Sequence, residues 1–353
     1  MSSPPLSELT TLRLGGPAAR MTSADSEDAL LDAVRAADGA GEPLLVLAGG
    51  SNVAVADDGF PGTVVRVTTR GVESFQMSDG RLRLDVAAGE SWDALVAACV
   101  ARELSGIEAL SGIPGSVGAT PIQNVGAYGQ EVADVIVGVR VLDRLSGEVH
   151  DLEPDACLFD YRSSVFKRDP GRWLVLRVRF ALERSGLSEP VRYAELAARL
   201  GIAERERAPL ADVREAVLAL RRGKGMVLDP ADPDTVSAGS FFTNPILRTR
   251  DFDAFAQRAA QRLGADARPP AWPAGERAVK TSAAWLIERA GFTRGHGNPA
   301  GIAISSKHTL ALCNRGAGTT TELVALAREI AAGVRAAFGV ELVPEPVFVG
   351  HSW

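Results

Sequence analysis

The apolar positions along the chain change period several times, and each change marks an element. Between residues 26 and 37, Leu30, Leu31 and Val34 share one helical face, acidic residues fill the first turn and Gly39 stops the run. Residues 44–48 have the continuous apolar character of a short buried strand and lead into Gly49-Gly50-Ser51-Asn52. A second β-rich run, 63–67, follows Gly59 and Pro61. No helical period follows the glycines directly. The turn therefore joins strands and is not the strand–turn–helix of a Rossmann dinucleotide site.

Further on, residues 82–86 alternate like a strand, and 92–100 read as a helix through Leu95, Val96 and Cys99. Residues 135–142 and 174–180 are strand-like runs rich in β-branched side chains. Between that helix and those strands lies a long glycine-rich loop, 111–129; loops of this length inside compact domains are usually functional. After Arg221, Phe252, Phe255, Ala259 and Leu263 give one helix face. A last helix opens with a capping-box pattern, Thr319 and Glu322, and continues through Leu323, Leu326, Ile330, Val334 and Phe338 to Gly339. The mixture reads as α+β, with boundaries expected near 70 and 222 and no internal repeat.

Composition adds exclusions. The 353 residues are 46% hydrophobic and 23% charged, an ordinary soluble balance for two or three domains with their own cores. A net charge of -6 argues against a nucleic-acid surface and points to a small molecule held in a cleft. The N-terminal stretch lacks the basic segment and apolar core of a signal peptide. The longest uncharged run, 109–130, contains five Gly and two Pro, so it reads as a loop and not a membrane span. Cys99, Cys157 and Cys313 are an odd, widely spaced set that fits a reducing compartment and neither a disulfide framework nor a zinc site. A cytoplasmic enzyme is expected, with no membrane or nucleic-acid partner and no metal.

Lys and Tyr are scarce: Lys167, Lys224, Lys280 and Lys307, with Tyr128, Tyr161 and Tyr193, make up the whole set. Such survivors invite a functional reading beside the ordinary one of core or surface residues. The Gly49-Gly50-Ser51-Asn52 turn can offer successive backbone N–H groups, a hydroxyl and an amide to an anion. Alone it is more often simply a turn. Its counterpart is the pair of runs from Ser111 through Gly115, Ser116 and Gly118, and from Gln123 through Asn124, Gly126 and Tyr128 to Gly129. Two polar backbone surfaces of this kind could grip one dinucleotide.

These motifs resemble those of the UDP-N-acetylenolpyruvoylglucosamine reductases. The glycine-serine-asparagine turn, the loop Ile113-Pro114-Gly115-Ser116-Val117-Gly118 and the run from Pro121 to Gly129 occur in that family's order. So do Tyr161-Arg162, Ser164 and Phe166-Lys167; Gly239-Ser240-Phe241-Phe242 with Asn244-Pro245; and Pro344-Glu345. Val191-Arg192-Tyr193 matches the tyrosine-bearing substrate loop of the family's longer subtype. The resemblance covers nearly the whole chain. It implies a vanillyl-alcohol-oxidase-type FAD-binding region of two subdomains, 1–70 and 71–222, and a C-terminal α+β substrate domain, 223–339, with 340–353 packing back on the first. FAD would be held by Gly49, Gly50, Ser51, Asn52 and Val53 and by Ser111, Gly115, Ser116, Gly118, Asn124 and Gly126, with Arg221 a further candidate. NADPH is the implied co-substrate, and the implied reaction is reduction of UDP-N-acetylglucosamine enolpyruvate to UDP-N-acetylmuramate, by a monomer, in peptidoglycan precursor synthesis.

The chemistry constrains roles. An enol ether bearing a carboxylate accepts hydride at its terminal carbon; negative charge then develops at the neighbouring carbon and spreads into the carboxylate. The enzyme must stabilise that charge and deliver a proton. Arg162 can bind a carboxylate through two parallel bonds, although a surface ion pair is its bland alternative. Ser240 is the candidate proton donor, against a role as a turn cap. Glu345, as a neutral acid, would polarise the intermediate, against a role as a solvated loop acid. Tyr128, Tyr161, Tyr193, Lys224, Asn244 and Lys280 fall at positions assigned to substrate contacts. Two departures stand out. Ala48 replaces a frequent third glycine, and Pro346-Val347 follow Glu345 where many members have Val then Arg. The alternatives are a related FAD-dependent oxidoreductase with another substrate, or a non-catalytic sugar-nucleotide or flavin sensor. Arg162, Ser240, Glu345 and Tyr193 discriminate against both.

Overall fold

A computed structural model describes residues 4–353; residues 1–3 of the first expected subdomain lie outside the described residues. The chain forms two compact units. One comprises Ala18–Gly50 and Phe60–Gly223; the other gathers Pro4–Pro17, Ser51–Gly59 and Lys224–Trp353. The chain crosses from the first to the second in the middle of the Gly49–Asn52 turn.

In the first unit, Ser26 caps the helix Glu27–Gly39 by accepting from the Ala29 amide at 3.3 Å, and Leu30 and Val34 are fully buried beneath it. This helix follows the strand Ala18–Ala24, which pairs in parallel with Phe60–Val67; that strand in turn pairs in parallel with Leu44–Leu47. A second, antiparallel sheet runs in the order Glu148–Leu152, Ile136–Asp143, Trp173–Arg184, Leu82–Ala87 and Val72–Gln76. One apolar core serves both sheets, joining Leu30 and Val65 to Leu84, Val139, Phe180 and the buried Trp92. Trp92 begins the helix Trp92–Ala101, and its indole donates to the Leu110 carbonyl at 3.1 Å. A smaller core packs Ala109 and Val191 against the helices Ala194–Leu200 and Leu210–Gly223 through Leu196, Val213 and Val217, with Tyr128 at its edge.

In the second unit, the strands Ser237–Ser240, Ala311–Asn314 and Ile302–Ile304 form an antiparallel sheet with Ala311–Asn314 in the middle. The helices Thr249–Leu263, Ala283–Ala290 and Thr320–Phe338 pack on a common core that includes Phe241, Phe242, Phe255, Ile330 and Phe338. The capping box expected at Thr319 and Glu322 is present, and Gly339 ends the helix in the left-handed conformation. Val53–Val55 pairs in parallel with Val347–Val349 in this unit. Apart from the small parallel sheet of Ala18–Ala24, Phe60–Val67 and Leu44–Leu47, the larger sheets are antiparallel, and helices and strands mix without a repeated parallel crossover, so the expected α+β class is borne out. Among the described residues no helix is long and apolar enough to cross a membrane. Cys99, Cys157 and Cys313 are free and buried, and burial pushes each thiol up to about 12.

Candidate functional site

Within the first unit the two glycine-rich segments meet backbone to backbone. A Cβ placed on Gly49 would lie 2.6 Å from the Gly115 Cα and 3.2 Å from the Ser116 nitrogen, closer than a side chain can approach. Gly50 and Gly115 hold φ of +58° and +115°, which glycine adopts without a steric penalty. Beside this contact Ser116 is 5% exposed, and its Oγ makes no hydrogen bond among the described residues. Ser111 is fully buried and donates to the Glu108 carbonyl at 2.7 Å. The Asp93 carboxylate accepts from the Gly112 amide at 2.6 Å and pairs with Arg214 at 2.7 Å, which ties the loop to the helix Leu210–Gly223. At Gly118 a Cβ would strike the Ala88 Cβ at 2.5 Å.

The continuation of the loop is built by strained backbone and buried amides. Asn124, Tyr128 and Arg162 all hold φ near +50°, at +44°, +50° and +50°. Residues with side chains occupy this region at a cost of order 1–3 kcal/mol, and they gather at functional sites. Asn124 is 1% exposed. Its amide donates to Glu131 Oε2 at 2.7 Å and to the Asp160 carbonyl at 3.2 Å, and its oxygen accepts from the Ala133 amide at 3.1 Å. The Asn124 side chain thus shapes the loop from inside.

Arg162 reaches into the same loop. Its guanidinium donates to the carbonyls of Gly126 at 2.5 Å and Asn124 at 3.3 Å, and it lies 5.3 Å from the Tyr161 ring centre. Lys167, to which the sequence reading attached no role, donates from Nζ to the Arg162 carbonyl at 3.0 Å. Tyr128 and Tyr193 meet edge to face, with ring centres 5.3 Å apart, although 65 positions separate them in sequence. Burial pushes the Tyr128 hydroxyl up to about 12, with Arg221 pulling the other way. Arg221 itself is 8% exposed; burial lowers its pKa, opposed by Tyr128 and Asp93. Arg162, Tyr161, Tyr128, Tyr193 and Arg221 are therefore all first-unit residues, along with most of the flavin-loop candidates.

The second unit brings Ser240 and Glu345 together. Ser240 ends the strand Ser237–Ser240 opposite Ala311, just after Gly239 at φ +75°. Phe241 donates to the Leu310 carbonyl at 2.7 Å and accepts from the Glu345 amide at 2.8 Å, so Ser240 and Glu345 lie on adjoining segments. Phe241 and Phe242, each 1% exposed, anchor the turn from below. The Ser51 backbone carbonyl accepts from the Thr11 hydroxyl at 3.3 Å, and the Asn52 side-chain amide donates to the Glu345 carbonyl at 3.2 Å. The Val347 amide donates to the Asn52 carbonyl at 3.0 Å, which seats the Pro346-Val347 departure at the start of the strand beside Val53. The Asn244 oxygen accepts from the Ala283 amide at 3.0 Å, at the start of the helix Ala283–Ala290. Lys280 lies in a strand opposite Ile246, and Ser282 caps the helix that follows. Lys224 is half-buried directly after the helix Leu210–Gly223.

Comparison with known proteins places these features in a family. A family described as "FAD binding domain" matches residues 18–153, and one described as "UDP-N-acetylenolpyruvoylglucosamine reductase, C-terminal domain" matches residues 230–349. A UDP-N-acetylenolpyruvoylglucosamine reductase of Thermobifida fusca is 58% identical over 98% of this chain and 97% of its own. One of Streptomyces coelicolor is 58% identical over 98% of this chain and 89% of its own. The crystal structure of a UDP-N-acetylenolpyruvylglucosamine reductase from Thermus caldophilus superposes with a TM-score of 0.65 at 25% identity, covering 98% of this chain and 97% of that one. The chain belongs to the UDP-N-acetylenolpyruvoylglucosamine reductase family.

Proposed function

We propose that the protein reduces UDP-N-acetylglucosamine enolpyruvate to UDP-N-acetylmuramate in the cytoplasm, as a monomer, with FAD as cofactor and NADPH as co-substrate. The observation that carries this reading is the joint presence of a backbone cradle at Gly49, Gly115 and Ser116 and of Ser240 beside Glu345. The cradle fits FAD. Gly49 and Gly115 keep side chains out of the contact between the two loops, and the buried Ser116 hydroxyl, with no partner among the described residues, is left to bond a ligand oxygen. Gly50, Ser51, Asn52, Val53, Ser111, Gly118 and Gly126 complete the proposed set. Asn124 serves it by holding the loop's shape, and Arg221 by its buried positive charge. Bound FAD supplies the hydride to the substrate's terminal carbon and is recharged by NADPH.

The protein's residues do the rest. Arg162 binds the substrate carboxylate, and the carbonyls of Asn124 and Gly126 set the plane in which its guanidinium lies. As charge spreads into that carboxylate, the interaction strengthens, which is the condition for accelerating the step. Ser240 gives its hydroxyl proton to the carbon next to the carboxylate. Glu345, as the neutral acid, donates a hydrogen bond to the developing enolate, since an ionised carboxylate there would repel it. Tyr128, Tyr161 and Tyr193 offer ring faces to the sugar nucleotide, and Lys224 and Lys280 offer point charges to its diphosphate. The domain division 1–70, 71–222 and 223–339 with 340–353 belongs to the same proposal.

The deciding measurement is stopped-flow absorbance at the flavin band. Protein reduced anaerobically with NADPH is mixed with UDP-N-acetylglucosamine enolpyruvate. Rapid return of the oxidised band with formation of UDP-N-acetylmuramate is the expected result. A flavin that is reduced but not reoxidised by this substrate would move the assignment to another oxidoreductase.

A further inference from the structure

Glu108 stands outside every motif of the proposed active site, yet it is 1% exposed and all the bonds described for its carboxylate run to N–H donors. Its Oε2 accepts from the Gly106 amide at 2.7 Å. Its Oε1 accepts from Gln130 Nε2 at 2.8 Å and from the Glu189 amide at 2.8 Å. Its own carbonyl accepts from the Ser111 hydroxyl at 2.7 Å. Gln130 closes the figure, because its side-chain oxygen accepts from the Ala109 amide at 2.8 Å. One side chain therefore joins three separate stretches of the first unit: 106–111, the segment just after Tyr128, and the segment that leads to Tyr193.

We infer that Glu108 is a positioning residue for substrate binding, setting the spacing between the Tyr128 and Tyr193 segments. The inference rests on the substrate role proposed above for those two tyrosines. Their rings touch, so their segments must hold a fixed separation. Apolar packing contributes through Ala109 and Val191, and Gly129 lies against Arg192. Ser105, Gly106, Gln130, Glu189 and Arg192 are among the residues that line a cavity of about 320 Å³ beside them. The Glu108 hydrogen bonds add a directional tie between the same segments. The Glu189 segment has further backbone bonds to 205–209, including Ser188 to Ala208 at 2.8 Å and Val191 to Glu206 at 2.9 Å. Those bonds tie it to its own hairpin; the Glu108 bond ties it to the loop that carries Tyr128.

The chemistry of the carboxylate is specific. Each of its three partners donates, so both side-chain oxygens serve as acceptors. Glutamine at this position would turn an NH2 toward at least one N–H donor, whichever way the amide is oriented. The test is Glu108→Gln in the FAD-loaded protein, with hydrogen exchange read first in the absence of substrate. Exchange of amides 187–193 should rise while that of the Trp92–Ala101 helix stays unchanged. In turnover, KM for the enolpyruvyl sugar nucleotide should rise roughly tenfold, the change that losing one hydrogen bond to a carboxylate brings. kcat and flavin reduction at saturating NADPH should stay within about twofold. Unchanged exchange at 187–193, or a fall in kcat at constant KM, would overturn the inference. If Glu108→Gln does not fold, Gln130→Met removes both side-chain bonds on the Tyr128 side, the one to Glu108 and the one from the Ala109 amide, and leaves the Glu108 bond to the Glu189 amide. It should raise KM severalfold with kcat kept, and an unchanged KM would overturn the inference equally. Because exchange is read without substrate, a failed brace is told apart from a protein that reduces some other substrate.

Discussion

The glycine-rich loop of the first unit and the Ser240–Glu345 turn of the second do similar work by opposite means. The 111–131 loop has little regular structure beyond a single turn, Val117–Ala119, and the two-residue pairing of Gly126–Ala127 with Gln130–Glu131. It is held by polar side chains: the buried Asn124 and Glu108 and the half-buried Gln130 and Arg162. The Ser240 turn hangs from β-bridges and from aromatic rings. Phe241 meets Phe242 at 5.2 Å, Phe242 meets Trp353 at 6.0 Å, and Phe348 stacks on Trp353 with 11° between their planes. The difference follows from what each must present. On the proposed reading, a cradle for a pyrophosphate needs bare backbone, so it cannot be filled with side chains and must be braced from behind by hydrogen bonds. A single hydroxyl and carboxyl need only be aimed, and an apolar anchor does that.

Truncating an anchor of the second kind should cost the most. Phe242→Ala removes a 1%-exposed ring from the second unit's core and should lower stability by about 4 kcal/mol. Chemical denaturation followed by near-UV circular dichroism checks the loss, and exchange protection of Asn124 should be spared. Breaking a polar brace should come next. Asn124→Ala leaves the Ala133 amide and Glu131 without the partner they have now, a loss of about 3 kcal/mol. Here the FAD retained on gel filtration should fall as well, because the loop's shape and not only its stability depends on the amide. If Phe242→Ala stripped the flavin and Asn124→Ala did not, the division of labour drawn above would be wrong.

A smaller free-energy change, but a sharper one, is expected at Ser240. Ser240→Ala should slow flavin reoxidation by the enolpyruvyl substrate roughly 100-fold, the lower range for a lost proton donor. Flavin reduction by NADPH and the melting temperature should hardly move. Equal slowing of both half-reactions would remove Ser240 from proton delivery.

The least effect concerns a helix cap. Asp57 accepts from the amides of Thr320 and Thr321 at 2.7 and 3.0 Å, at the start of the helix Thr320–Phe338. Partial burial alone would raise its pKa, but hydrogen bonds from the Thr321 hydroxyl and from those amides outweigh it and hold the carboxyl below the usual range. A depressed carboxylate stabilises the fold above its unfolded pKa of about 4 and loses that contribution as pH falls through the folded value. Asp57→Asn should therefore cost less than about 1 kcal/mol at neutral pH, with the gap to wild type closing under acid. Urea midpoints measured from pH 7 down to pH 3 read this directly.

Much of the fold was legible in one dimension. The helices Glu27–Gly39 and Thr320–Phe338 carry their apolar stripe, cap and stop within their own residues, so local pattern suffices. The helix Leu210–Gly223 was not foreseen, although Leu210, Val213 and Val217 repeat at helical spacing and bury one face. Its signal was present but diluted by five charged residues in fourteen. Glu108 escaped notice for a different reason. A single glutamate before a glycine-rich loop looks like any surface acid, and only its burial reveals the three donors around it.

By itself, then, the sequence determined the helices and strands whose apolar period and stops are local, and it supplied the glycines, the strained-loop residues and the candidate acids in their order. Only the tertiary structure decided that Asn52 lies against Glu345, 293 positions away, and that Tyr128 rests on Tyr193. It also decided that Arg162 clasps the carbonyls of Asn124 and Gly126. The physical reason is range. Helical period, capping and turn chemistry act over a few residues and can be read along the chain. Pairing, burial and the satisfaction of buried donors depend on which distant segments share a core, and that emerges only when the chain has closed on itself.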